Sequence, residues 1–234
     1  DRYVLNGTKV YSTNAPVADL LVVFATVDPA KGARGVTAFV VEKGTPGFRV
    51  SREIEKMGLR TSPMGEIFFD DCEIPAENRL GKEGGGSNLF GQSLTWERAF
   101  ILASGVGAMQ RLLERCIDYA RTRKQFGQAI GKFQLVASKI VDMRMRVDSA
   151  RHALYHAAWL RGQGKSIFLE GALTKLQISD AWVAQAQDAM QIHGGWGYMT
   201  ELELERELRD ALGSKLYSGT SELQRVIAAP LLGL

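Results

Sequence analysis

Cysteine is scarce in this 234-residue chain: Cys72 and Cys116 are the only two, and neither sits in a CxxC pair. That spacing excludes a disulfide scaffold and a cysteine-based structural zinc site, and it favours a reducing compartment, so a cytoplasmic location is expected. Charge of one sign is also lacking. Lys plus Arg number 29 against 26 for Asp plus Glu, and a net charge of +3 is too small to mark a nucleic-acid binder. No apolar run approaches the roughly 20 residues that a membrane span needs, and the first residues show no signal-peptide pattern. Proline is unevenly placed. Five of the six prolines fall before residue 76, and none occurs between 87 and 229.

What is present divides at that point. Hydrophobic residues make up 45% and charged residues 24%, enough apolar content for a buried core. Residues 1–82 carry short, β-branched apolar runs punctuated by Gly and Pro: Leu20–Val27, Gly35–Val41 and Ile67–Pro75. These predict antiparallel strands. Asn6-Gly7, between β-rich flanks, predicts a hairpin turn. The chain opens inside this first strand without Met, as a fragment of a longer chain would.

After Gly84-Gly85-Gly86, residues 83–234 read as helices. One long helix is expected from Ser87 or Asn88 to about Arg121, with others at about 133–160, 167–193 and 201–212, and a last one from Ser221. Gly162 to Gly164 and Gly194-Gly195 supply the stops. The fold class expected is α+β: an antiparallel β domain over 1–82, then an all-α four-helix bundle over 83–234.

Three loops interrupt the helical half with polar and glycine residues. Arg121-Thr122-Arg123-Lys124-Gln125-Phe126-Gly127-Gln128, with Gln134 beyond it, suits a phosphate or pyrophosphate, or else is a solvated basic helix end. Gln191-Ile192-His193-Gly194-Gly195-Trp196-Gly197-Tyr198 admits close approach of a ligand, or else is a plain C-cap. Tyr217-Ser218-Gly219-Thr220-Ser221-Glu222 places free N–H groups and hydroxyls at a helix start, an anion site or a simple cap. His152 and His156 share a helix face without a nearby carboxylate or cysteine in sequence, so no metal site is expected. Arg144, Arg146 and Arg151 read as a solvated helix face.

In order along the chain, Asn6-Gly7-Thr8-Lys9, Lys56-Met57-Gly58-Leu59-Arg60, Asn78-Arg79-Leu80-Gly81, Arg121 to Gly127, His193 to Tyr198 and Gly219-Thr220-Ser221-Glu222 resemble the acyl-CoA dehydrogenase superfamily of flavoproteins. The resemblance implies a middle β domain and a C-terminal bundle, with the family's N-terminal helical domain absent. It implies FAD as cofactor and a homodimer or homotetramer. Tyr11 and Thr13 would lie at the flavin ring. Arg123, Gln125, Phe126, Ile130 and Gln134 would touch its pyrophosphate and adenosine half, Gln191, Gly194 and Gly195 would do so from the other subunit, and Thr220 and Glu222 would belong to a further flavin loop.

The family's chemistry removes the α-proton of a thioester while hydride leaves the β-carbon. Most members carry the basic Glu at the position of Ser218. A minority carries it on the first helix of the C-terminal domain, directly before an Arg, where this chain has Thr95-Trp96-Glu97-Arg98. Glu97 is therefore the expected base, with Tyr11, Trp96, Arg98 and Ser218 around the substrate. The alternative is a Glu97–Arg98 surface ion pair in a protein that has lost its base. The same residues are similar to dehydrogenases of natural-product pathways that oxidise proline tethered to a carrier protein. Prolyl-carrier protein is accordingly the preferred substrate, with a short or branched acyl-CoA, or an inactive flavin-binding or interaction homologue, as alternatives. An oxidase or monooxygenase is a third possibility. An electron-transfer flavoprotein is an expected partner; nucleic acid and membrane are not.

Overall fold

The computed structural model describes residues 1–234, which form two compact units, Asp1–Ser93 and Leu94–Leu234. In the first unit, strands β1 (Arg2–Thr13), β5 (Met64–Pro75) and β4 (Phe48–Val50) form one antiparallel sheet in the order β1-β5-β4. Strands β2 (Leu20–Thr26), β3 (Val36–Glu42) and β6 (Arg79–Leu80) form a second, in the order β2-β3-β6. Alternate residues turn inward, as a period of two requires. Leu5, Ile67, Phe69, Cys72 and Ile74 from the first sheet pack with Val23, Phe39 and Val41 from the second. The Tyr3 and Phe39 rings bridge the two sheets with centroids 4.8 Å apart.

Asn6-Gly7 is not a turn. Strand β1 runs straight through it, and the register to β5 slips there instead: Leu5 pairs with Cys72 and Gly7 with Phe69. The extra residue lies on β5, where Asp71 has φ +44. Asn6 stitches the bulge by accepting from the Asp71 amide at 2.8 Å and donating to its carboxylate at 3.0 Å. Asn-Gly is common in hairpins because both residues tolerate unusual backbone angles, and a bulge uses the same tolerance. A second bulge follows. Lys9 pairs with Ile67 and Ser12 with Gly65, so the extra residue is on β1, and Tyr11 there has φ +59 and is 73% exposed.

The second unit is helical. Helix α1 (Gly86–Phe100) begins in the first unit and ends in the second; α2 (Ala103–Thr122), α3 (Gln134–Gly162), α4 (Phe168–His193), the one-turn α5 (Gly195–Tyr198), α6 (Leu204–Gly213) and α7 (Ser221–Leu231) follow. The single helix expected from about 87 to 121 is thus two. The break falls at Ile101-Leu102, where Leu102 has φ −91 and ψ 13 and is buried in the bundle core. No Gly or Pro marks it; burial of Leu102 sets the bend.

Helix α4 is the central element, packed by α2, α3, α6 and α7. Its small buried residues, Ala172, Ala186 and Ala189, permit close approach, and Trp182 lies directly over Gly105 of α2. Gly105 meets Trp182, Gln185 donates to the Met109 carbonyl, and Tyr119 stacks on His193. Helices α2 and α4 therefore run in the same direction. Helix α3 runs against them: Lys139 and Arg146, in its first half, both bond Asp188 near the end of α4, at 2.8 and 2.6 Å. Arg146 is thus an interhelical ion-pair residue and not part of a solvated face; Arg144 and Arg151 pair with Asp148 along α3. No helix is long and apolar enough to cross a membrane.

Candidate functional site

Because α2 and α4 are parallel, the loops that end them come together. After α2, Arg123 leaves the helix with φ −68 and ψ 128, and a two-residue ladder forms between β7 (Lys124–Gln125) and β8 (Gln128–Ala129). Phe126 and Gly127 turn it with φ +49 and +79, and the Ile130 amide closes it on the Arg123 carbonyl at 2.8 Å. After α4, Gly194 has φ +59 and ψ −134, a region closed to residues with a Cβ. The Tyr119 and His193 rings, 4.1 Å apart, tie the two ends together. Burial pushes the His193 imidazole below its ordinary pKa, while its Nδ1 lies 2.8 Å from the Ala189 carbonyl.

Between these ends lies a cavity of about 780 Å³. Arg123, Gln125, Ile130, Gly194 and Gly195 all line it. The guanidinium and amide are anion-binding donors. Nothing stands within 4 Å of where a Cβ would be on Gly194 or Gly195, so a ligand can lie against that backbone. Ile130, Ile192 and Trp196 supply apolar walls. Donors for a diphosphate beside apolar surface fit a flavin dinucleotide.

The Arg123 group and the Gly194-Gly195 group line one cavity of one chain, because parallel helices deliver them to the same end of the bundle. Gln191 lines an adjoining hollow of about 610 Å³ that shares both glycines. Phe126 lies outside both linings; it is 89% exposed and meets Phe133 edge-on at 6.2 Å. Gln134, exposed at the start of α3, is outside them too. Tyr119, Met199 and Glu201 line the cavity and were not singled out from the sequence. Their signal is only their spacing from the glycine motif.

A second group forms where α1 meets the loop before α7. The hydroxyl of Ser218 donates to the carboxylate of Glu97. Both residues are half-buried. Glu97 makes no ion pair with Arg98; burial holds the Arg98 guanidinium below its ordinary pKa, with Glu97 partly offsetting that, and its buried Nε has no hydrogen-bond partner. Trp96 is half-exposed, 5.1 Å from the Phe100 ring, with the Arg161 guanidinium 5.3 Å over its face. Thr95 is buried.

The loop that carries Ser218 is tightly specified. Ser218 has φ +55 and Gly219 φ +90. Thr220 caps α7 by accepting from the Leu223 amide at 3.2 Å. The Glu222 carboxyl is held below its ordinary pKa by its own backbone amide first and by the Thr220 hydroxyl second. Thr220 and Glu222 line neither hollow. Tyr11 and Thr13 lie in the first unit, Tyr11 on its bulge and Thr13 paired with Met64.

Residues 84–232 match the family described as acyl-CoA dehydrogenase, C-terminal domain, and residues 1–72 match acyl-CoA dehydrogenase, middle domain. The chain is 45% identical over 232 residues to the L-prolyl-[peptidyl-carrier protein] dehydrogenase of Pseudomonas fluorescens, covering 99% of this chain and 61% of that protein. The crystal structure of the prolyl acyl carrier protein oxidase AnaB superposes with a TM-score of 0.99 at 54% identity, over 100% of this chain and 62% of that one. The structure of PigA with FAD and proline superposes with a TM-score of 0.97 at 43% identity, over 99% and 61%. The chain thus spans about three fifths of the length of the curated relatives it matches. With both of its units matched in order, this chain belongs to the acyl-CoA dehydrogenase family.

Proposed function

We propose that this chain is part of an FAD-dependent dehydrogenase that oxidises the Cα–Cβ bond of an acyl or aminoacyl thioester, with prolyl-carrier protein as substrate. The observation that carries this is the hydrogen bond from Ser218 to Glu97. It brings the Glu97 carboxylate beside the position that the resemblance marks as the usual one for the base, where this chain has a serine.

Glu97 is the proposed base and takes the α-proton on a carboxylate oxygen. Ser218 donates to the same carboxylate, which fixes its direction. Trp96 and Arg98 flank it and shape the pocket, and half-burial reduces competition from water. When bound, FAD supplies the acceptor for the hydride that leaves Cβ. Arg123 and Gln125 would hold its diphosphate, with Ile130, Gly194 and Gly195 along the remainder and Gln191 in the adjoining hollow. Phe126, Gln134, Thr220 and Glu222 are proposed as further contacts, and Tyr11 and Thr13 as ring contacts of the β unit.

We place the functional division of the chain between residues 82 and 83; the family matches over 1–72 and 84–232 support it. A homodimer or homotetramer is the proposed assembly. Val141 and Met145, one turn apart and exposed on α3, support self-association. The reduced flavin is proposed to pass its electrons to an electron-transfer flavoprotein, in the cytoplasm.

The substrate is tested by mixing the full-length, FAD-loaded protein anaerobically with prolyl-carrier protein and with isovaleryl-CoA. Loss of the flavin's visible absorbance with the first and not the second is the expected result. The opposite pattern contradicts the carrier-protein assignment and favours a branched acyl-CoA.

A further inference from the structure

We propose that Lys175 is a positioning residue for the reaction: together with Gln224 it clamps the Ser218–Gly219 turn so that the Ser218 hydroxyl orients the Glu97 carboxylate. This rests on Glu97 being the base.

The turn needs a clamp. Two successive residues, Ser218 at φ +55 and Gly219 at φ +90, hold the chain in left-handed conformations. For Ser218 this is strained, and such strain persists only where surrounding groups over-determine it. Gly219 is confined as well, because a Cβ there would come within 2.7 Å of the Gln224 side-chain nitrogen.

Three hydrogen bonds from two side chains converge on the two carbonyls of this turn. Gln224 donates from Nε2 to the Ser218 carbonyl at 3.1 Å and to the Gly219 carbonyl at 3.0 Å. Lys175 donates from Nζ to the Gly219 carbonyl at 2.7 Å. Both side chains are fully buried. Lys175 projects from α4, the central helix of the bundle, so the turn is referenced to the element against which α2, α3, α6 and α7 pack. Gln224 comes from α7, one turn beyond the cap at Thr220.

Lys175 is placed without a stabilising ion pair. No carboxylate lies within ion-pair distance of its ammonium; Asp180 and Glu222 act on it only at longer range, and Lys215 opposes them. A buried amine with one carbonyl partner is costly, and an apolar side chain of the same length packs in its place at lower desolvation cost. What the amine adds is a charge-assisted hydrogen bond to the residue that follows Ser218. The Glu97 carboxylate is faced by Arg98 on its own helix and by Ser218 from the turn. The only neutral donor that orients it is therefore the one that Lys175 and Gln224 fix.

The test uses the full-length FAD-loaded enzyme and follows kcat and KM for wild type, Ser218→Ala, Lys175→Met, the double variant and Glu97→Gln. Lys175→Met is expected to lower kcat by about 10- to 100-fold through misplacement of the base, with KM changed by less than about threefold because substrate binding is left intact. Ser218→Ala is expected to lower kcat over the same range with the same small change in KM, since in both variants the carboxylate loses the donor that orients it. The double variant is no slower than the slower single variant, because both changes remove the same hydrogen bond. If kcat of Lys175→Met stays with wild type while that of Ser218→Ala falls, or if the two losses multiply in the double variant, the clamp is overturned. Should Lys175→Met not fold, Gln224→Leu carries the same expectation and the same contradicting result. Glu97→Gln separates the two levels: wild-type kcat there overturns the base assignment and the clamp with it, whereas loss there beside an unmoved Lys175→Met overturns the clamp alone.

Discussion

Ser218 and Glu97, 121 residues apart in the chain, meet in a hydrogen bond from the serine hydroxyl to the glutamate carboxylate. The two positions that the resemblance marks as alternatives for the base therefore lie within hydrogen-bond reach of each other. One is reached from α1, the other from the turn before α7.

This convergence predicts that the base can be relocated. Glu97→Gln is expected to lose most turnover, within the 100- to 10,000-fold range typical of general-base removal, about 3–5 kcal/mol in the barrier. Adding Ser218→Glu returns a carboxylate to the same place and is expected to recover part of the loss. Stopped-flow reduction of the bound flavin with substrate measures both. A double variant no faster than Glu97→Gln contradicts the shared position.

Arg123 is the cation of the cavity between α2 and α4. Arg123→Met is expected to weaken FAD binding by about 10- to 100-fold, the range for losing a charge-assisted hydrogen bond. The full-length variant should purify with little bound flavin and recover its colour only at raised FAD concentration. Fluorescence titration of the apoprotein with FAD reads the change directly, and unchanged affinity would remove Arg123 from the cofactor site.

Lys175 gives the fold a defined pH dependence. Burial lowers its pKa from 10.5 to about 8. Between those values the unfolded chain binds the proton and the folded chain does not, so this group makes stability rise with pH across about 8 to 10.5 and contributes no slope below it. Cys116 and Tyr217, both pushed up to about 12 by burial, act oppositely at alkaline pH. Lys175→Met retains both of them, so its difference from wild type isolates the lysine. Denaturant melts at a series of pH values should show Lys175→Met gaining stability over wild type below pH 8, with the gap narrowing above it.

The α2–α4 contact is close enough to fail on one methyl group. A Cβ on Gly105 would lie 2.9 Å from the Trp182 ring, which is held by the core. Gly105→Ala is expected to cost about 1–3 kcal/mol by overpacking, despite the better helix propensity of alanine. A thermal melt checks the sign; stabilisation would mean that the helices separate without penalty.

How legible this was in the sequence depends on the range of the interaction. Strands at 20–27, 35–41 and 67–75 and helices ending at Gly162 and Gly194 follow from local periodicity and local punctuation, and they stand within one to three residues of the structure. Asn6-Gly7 misled because a bulge and a hairpin draw on the same backbone freedom, and only the partner strand tells them apart. The bend at Leu102 has no local signal, because tertiary burial produces it. Glu97 and Ser218 were each readable through the resemblance, but their contact was not, since nothing in sequence brings residues 97 and 218 together. The same holds for Arg123 and Gly194, which needed the parallel course of α2 and α4. Lys175 was missed because a helical lysine reads as surface.

The most direct test of the central claim is anaerobic reduction of the bound flavin by prolyl-carrier protein, comparing full-length wild type with Glu97→Gln at matched FAD content. Rapid loss of the flavin's visible absorbance in wild type, and none in Glu97→Gln, is the predicted result. Equal rates in the two proteins would contradict the assignment of Glu97 as the base.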